Sequence, residues 1–222
     1  MAREPLHRLD AAELRRRIRT ALEERPHAGQ GEPWLAGLPP ELTAGFVHLI
    51  PAEPIPAAVL VPIVDRDDQL SVLLTQRAAD LKHHAGQISF PGGRLEAVDA
   101  GPLDAALRET EEEIGLQRTH VDVLGFMPDH LIISGYRVTP VVGLVRPGFA
   151  LRLDRTEVTE AFEVPLVHVL DPDNHRARRR KLGEGEIEVY DIPFGDRNIW
   201  GATAGMLLTL YRLLQEPADG YP

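Results

Sequence analysis

Between residues 109 and 113 this chain places four acids, Glu109, Glu111, Glu112 and Glu113, at the end of a stretch that otherwise reads as a helix. Pro102 and Asp104 suit a first helical turn, and Leu103, Ala106, Leu107 and Thr110 recur on one side. Gly115 suits the left-handed residue that closes a helix, so the spacing predicts a helix over 102–114. At 100° per residue, Glu112 falls about 60° to one side of Glu109 and Glu113 about 40° to the other. Those three carboxylates therefore share a face, and Glu111 points elsewhere. Like charges on one face repel. A fold that keeps this helix must leave the face to water or bring positive charge to it. A hard divalent cation is one such charge, because Mg²⁺ takes carboxylate and carbonyl oxygens. Two neighbours favour the cation over a solvated acidic face. Gly92-Gly93 can bring a backbone carbonyl close, and Arg108, one turn before Glu112, can orient a carboxylate.

The rest of the chain limits what such a site could serve. Asp plus Glu is 34 against 24 for Lys plus Arg, a net charge of -10, which disfavours sequence-independent nucleic-acid binding and predicts no nucleic-acid partner. An anionic small molecule can still be handled where basic residues or divalent cations are gathered. With no cysteine, a disulfide scaffold, a thiol nucleophile and a cysteine zinc site are excluded. No apolar run approaches the roughly 18 to 20 residues of a spanning helix, and Met1-Ala2-Arg3-Glu4-Pro5 does not resemble a signal peptide. The expectation is a cytoplasmic protein with no membrane partner.

Asp10 and Glu13 form a capping-box pattern ahead of Leu14, Ile18, Ala21 and Leu22, with Arg15, Arg16, Arg17 and Arg19 off that stripe as a solvated face. Prolines at 26, 33, 39, 40, 51, 54 and 56 then forbid long helices and predict an extended, wrapping segment. Strands are predicted at 58–64, 70–75, 88–90, 121–127, 136–145, 162–169 and 187–192, and a closing helix at 202–214. Strands and helices intermingle without regular alternation, so the fold class is α+β with a mixed sheet. The expected organisation is an N-terminal helix and wrapping segment over 1–56, one domain over 57–216 and a tail over 217–222. The N-terminal part could also make a homodimer contact.

The run R-E-T-E-E-E-I-G-L from Arg108 to Leu116 resembles the signature of the Nudix hydrolases at every fixed position of its second half. In the first half, the acid six residues after Gly93 is Asp99 rather than Glu, and the spacer to Arg108 is one residue longer. Upstream, Leu73-Leu74-Thr75-Gln76-Arg77-Ala78, then Lys82, Gly86 and Phe90-Pro91-Gly92-Gly93, is similar to the extra motif of the coenzyme A pyrophosphatase branch, with Lys82 where that motif has Arg. The branch also tolerates acids at the Glu96 and Asp99 positions with the longer spacer. More loosely, the stretches 135–140 and 199–204 look like the same branch.

The resemblance implies a Nudix-like α/β/α sandwich and metal-dependent hydrolysis of the diphosphate of coenzyme A, or its derivatives, to 3',5'-ADP and 4'-phosphopantetheine. Other nucleoside diphosphate derivatives, such as ADP-ribose, are the alternative substrates. A nucleotide-binding domain without hydrolysis would usually lack box glutamates, and Glu109, Glu112 and Glu113 are all present. The implied cofactor is Mg²⁺ or Mn²⁺ on Glu109, Glu112 and Glu113, with a carbonyl of Gly93 or Gly92 as a further ligand. Glu109 could instead be the general base, and Glu157, in a segment after the box, is the other candidate. Arg77 and Lys82, with Gly92 and Gly93, are the implied substrate-binding residues. His83 and His84 read as a polar loop, and Arg176, Arg178, Arg179, Arg180 and Lys181 as a solvated hairpin loop or an anion contact. Trp34 and Trp200 serve packing, or stack on a base.

Overall fold

The computed structural model describes residues 4–23, 53–79, 85–182 and 185–215. Most of the proline-rich segment, with Trp34, and also Lys82, His83, His84 and the tail lie outside the described residues.

The hairpin of β1 (Ile55–Arg66) and β2 (Gln69–Arg77) forms as expected, with Ile63 opposite Val72 and Arg66 opposite Gln69. β1 also runs parallel to a later strand over Tyr136–Val145, from Ile55 opposite Tyr136 to Val64 opposite Val145. Away from their turn, β1 and β2 diverge, and the chain between them fills the wedge. There Ile88–Ser89, β3, pairs with the end of β2, and Gly92–Arg94, β4, pairs with the start of β1. Val121–Phe126 (β5) and His130–Ile132 (β6) add antiparallel to Tyr136–Val145 (β7), and Val158–Pro165 (β8) to β2. One parallel pair among antiparallel ones makes the sheet mixed.

Both faces of this sheet are covered, which is why Ala58–Val64 is apolar without alternation. Ala58, Leu60 and Val64 pack with Ala105, Ala106 and Ile114 of helix α2 (Pro102–Ile114). Val61 and Ile63 join the opposite cluster with Leu14, Ile18 and Leu22 of α1 (Ala11–Glu23) and residues of the C-terminal helix. The result is the α/β/α arrangement, with α1 in the same core as the sheet. Arg15 pairs with Asp65, and Arg19 with Asp122 at 2.7 Å, so arginines expected to face only solvent tie α1 to the strands. Asp10 accepts the Glu13 N–H at 2.8 Å, but the Glu13 carboxylate turns to Arg16 and Arg17 instead of completing the reciprocal box.

Two expectations are corrected. The strand expected over 162–169 starts earlier, at Val158, and ends at Pro165; Leu166–Val169 is a short helix, α3. Pro165 turns the chain, and Leu166 and Val169, three apart, are both buried. A short apolar run does not distinguish these states. The basic stretch is not a loop. Arg176–Leu182 is strand β9, paired with β10 (Gly185–Phe194), and the register sets Glu188 opposite Arg179 and Glu186 opposite Lys181. Opposite charges facing each other across a strand pair favour such a ladder. β11 (Arg197–Trp200) completes this second, three-stranded sheet, and α4 (Gly201–Gln215) follows directly.

Candidate functional site

The glycine pair, the second half of α2, the end of β2 and the turn before β8 meet at one place. Gly92 has φ 152°, and a Cβ there would strike the Ala58 carbonyl oxygen and lie 2.6 Å from Val59 Cα. Only glycine lets β4 press this closely on β1. The Gly92 N–H is thereby aimed at Glu113, donating to Oε2 at 3.1 Å. Arg77 Nη1 donates to the other oxygen at 3.3 Å. Gly93 lies against Glu109, whose carboxyl group occupies the space a Cβ would take.

The three carboxylates of the shared face sit in different surroundings. Glu113 is buried, Glu109 is half-buried and Glu112 is exposed. Burial pushes the Glu113 carboxyl up from 4.5 to about 7, against the pull of Arg77 and the Gly92 N–H, and the charges of Glu157 and Glu109 raise it further. Glu109 is also raised, first by burial and then by Glu112 and Glu157, while Arg108 opposes. The negative charge of Glu157 is thus felt at both inner carboxylates. Its segment is pinned on both sides: Asp154 N–H donates to the Glu113 carbonyl at 2.9 Å, and Ala78 N–H to the Glu157 carbonyl at 2.7 Å.

Arg108 organises the outer part of the cluster. Its Nε and Nη2 hold Asp99 at 2.8 and 3.0 Å, and Nη2 also donates to the Arg94 carbonyl at 3.3 Å. Nη1 then reaches both Glu109 and Glu112 at 3.0 Å. The guanidinium keeps the Asp99 carboxyl below the usual carboxylate range. Asp99, whose role the sequence left open, positions Arg108, and Glu96 donates its backbone N–H to Asp99 at 2.8 Å. Glu111 is held elsewhere by Arg118, as the helical spacing requires.

Glu109, Glu112, Glu113, Glu157, Gly92, Gly93 and Arg77 are therefore brought together. Arg77 spends its guanidinium on Glu113, which the sequence did not indicate. Among the described residues, no three acidic or imidazole side chains form a ready-made metal cage. The donor set nonetheless suits a hard cation. It is all oxygen, its like charges raise one another's pKa, and arginines supply part of the charge a cation would bring.

The Glu113 environment predicts a pH dependence for the metal-free protein. Between about pH 4.5 and 7 the folded protein holds a proton that the unfolded chain releases. The contribution of this group to stability is thus complete below pH 4.5 and is lost as pH rises through about 7. Chemical denaturation across that window should show wild type losing stability and Glu113→Gln losing less. Equal slopes would refute the burial of a titrating carboxylate.

The NUDIX domain family profile matches residues 54–184. The chain is 40% identical over 158 residues to the uncharacterized Nudix hydrolase NudL of Escherichia coli (strain K12), covering 69% of this chain and 80% of that protein. Among solved structures it is similar to an Ap4A hydrolase of C. elegans (TM-score 0.44, 20% identity, 50% of this chain and 80% of that one). It is also similar to the NUDIX domain of Shewanella oneidensis NrtR, solved with ADP ribose (TM-score 0.42, 21% identity, 62% of this chain and 84% of that one). No helix of the described residues is long and apolar enough to cross a membrane.

Proposed function

Since this chain belongs to the Nudix domain family, we propose that it hydrolyses the diphosphate of coenzyme A or its derivatives, releasing 3',5'-ADP and 4'-phosphopantetheine. Nudix hydrolases in general use divalent metal ions and act on small nucleoside diphosphate derivatives. The narrower reading rests on the resemblance of the Leu73–Gly93 motif to the coenzyme A branch, and one observation supports a place for that motif at the site. The motif from Leu73 to Gly93 enters the carboxylate cluster at both ends, through Arg77 on Glu113 and through Gly92 and Gly93 under Glu113 and Glu109.

Glu109, Glu112 and Glu113 would hold Mg²⁺ or Mn²⁺, with the Gly93 carbonyl beside them. Such an ion polarises phosphate oxygens and acidifies bound water. The chain's own task is then to position groups and move one proton. Arg108, fixed by Asp99, holds Glu109 and Glu112 in place. Arg77 keeps Glu113 oriented. Glu157, whose backbone is pinned between α2 and β2, would accept the proton of the attacking water at its carboxylate as the P–O–P bond breaks. Glu109, with its raised pKa, is the competing base, and Glu157→Gln against Glu109→Gln in a pH–rate profile separates them: the base variant loses the acidic limb.

The deciding experiment is turnover of coenzyme A with Mg²⁺ or Mn²⁺, products identified by mass, beside ADP-ribose and diadenosine tetraphosphate. Coenzyme A should give the highest kcat/KM, and a clear preference for either competitor would overturn the reading. Arg77→Ala should lower turnover of every substrate, because it releases Glu113. Lys82→Ala should cost coenzyme A more than ADP-ribose, and equal losses would count against a recognition role. Metal should also raise the melting temperature. Saturation to 100 times Kd contributes about 2.7 kcal/mol by mass action.

A further inference from the structure

Away from the carboxylates, an open cleft of about 340 Å³ is lined by Arg178, Arg179, Asn198 and Trp200. Asn198 and Trp200 also line a second space of about 230 Å³, bounded by Gln76, Gly86 and Ile88 and by Arg197 with its ion-pair partners Glu160 and Asp196. From the cleft between the three-stranded sheet and the β2–β3 end, we infer a subsite for a purine nucleoside that carries a phosphate monoester on its ribose, the part of the substrate beyond the scissile diphosphate. This deepens, and rests on, the coenzyme A reading above.

The chemistry of the walls supports that ligand. Trp200 stands opposite Asp191 in the β10–β11 ladder, and Asn198, two residues along β11, shares its face. Arg178 comes to the same face, bonding Asp191 at 2.6 and 2.9 Å. A half-buried indole offers a flat surface on which any base can stack. Asn198 is exposed and its amide has no partner among the described residues. A side-chain amide can both donate to and accept from an adenine edge. β9 carries five cations over residues 176–181, against four acids, Glu184 between the strands and Glu186, Glu188 and Asp191 in β10. The hairpin therefore keeps a net positive charge in a protein whose overall charge is -10. That excess favours a dianion over a neutral nucleoside.

Position supports it as well. Gln76 lines the cleft, and the next residue, Arg77, bonds Glu113. Both sites therefore lie at the same end of β2. α4 starts at Gly201, directly after Trp200, so the N-terminal end of its dipole lies at this wall. The Thr203 hydroxyl donates to the Ile88 carbonyl at 3.0 Å, fastening that first turn to β3.

The test uses binding, so it does not need turnover. The chain has two tryptophans, and Trp34→Phe leaves Trp200 as the only indole reporter. Titration with 3',5'-ADP should change Trp200 fluorescence and bind about tenfold or more tighter than 5'-AMP, the low end for a charge-assisted bond to phosphate. Arg178→Gln should erase that advantage while leaving 5'-AMP binding intact. Asn198→Ala should weaken both nucleotides alike. Equal wild-type affinity for the two nucleotides would overturn the subsite, as would equal losses of both nucleotides in the Arg178 variant. An absence of any Trp200 response would do the same. Parallel assays of coenzyme A separate the two claims. Turnover with none of these binding differences sinks the cleft alone, whereas preferential 3',5'-ADP binding without turnover supports the cleft and sinks the hydrolase reading.

Discussion

Glu112→Gln is expected to give a folded protein that has lost the proposed turnover on every diphosphate substrate. The carboxylate is exposed and among the described residues it pairs with Arg108 alone, so circular dichroism and the melting temperature should stay near wild type. Loss of a group that merely supports a metal ligand costs about 10- to 100-fold. Loss of a ligand itself should therefore exceed about 100-fold in kcat/KM. Glu113→Gln is expected to show the same kinetic loss, together with the flatter pH profile described for its buried carboxyl. A normal kcat in either variant at saturating Mg²⁺ would remove that residue from the metal site. On the proposed reading the fall should also be uniform across coenzyme A and ADP-ribose, because the same ion would serve each diphosphate.

The glycine pair should separate stability from activity. At Gly92 the φ of 152° belongs to glycine, and a Cβ would meet the backbone of Ala58 and Val59, which cannot step aside without breaking the β1–β4 pairing. Holding a non-glycine residue in that region costs about 1–3 kcal/mol before the clash is counted. Gly92→Ala is thus expected to destabilise by about 3 kcal/mol or more, a large fraction of a typical domain's stability. Next door, the atoms nearest a Gly93 Cβ belong to the carboxyl end of Glu109, a side chain that can swing. Gly93→Ala should keep the fold and lose turnover by displacing Glu109. Denaturant midpoints and kcat/KM measured on both variants decide the matter. A stable Gly92→Ala, or a fully active Gly93→Ala, would contradict the packing described here.

How much of this was legible beforehand depends on how local the cause is. The helix over 102–114 was readable residue for residue, because its first-turn proline, its periodicity and the left-handed Gly115 at φ 69° all act within a few residues. The strand over 136–145 was readable for a similar reason, as a long run of β-forming apolar residues. Strand β4 was not, since glycines are poor strand formers and only the wedge between β1 and β2 makes that conformation favourable. Strand β9 hid behind its charge, which becomes acceptable only when β10 places acids across from it.

The site divides along the same line. By itself the sequence determined that Glu109, Glu112 and Glu113 share a face and that Arg108 lies one turn away, because 3.6 residues per turn leave no other arrangement. Only the tertiary structure decided which of them is buried, and so which carboxyl is raised to about 7, because burial depends on β4, β2 and the 154–157 turn closing over α2. It also decided that Arg77 serves Glu113, a contact between elements remote in the chain, and that the loop before α2 folds back to set Asp99 on Arg108. Helical geometry is set by neighbours in sequence, whereas desolvation and ion pairing are set by whatever the fold brings alongside.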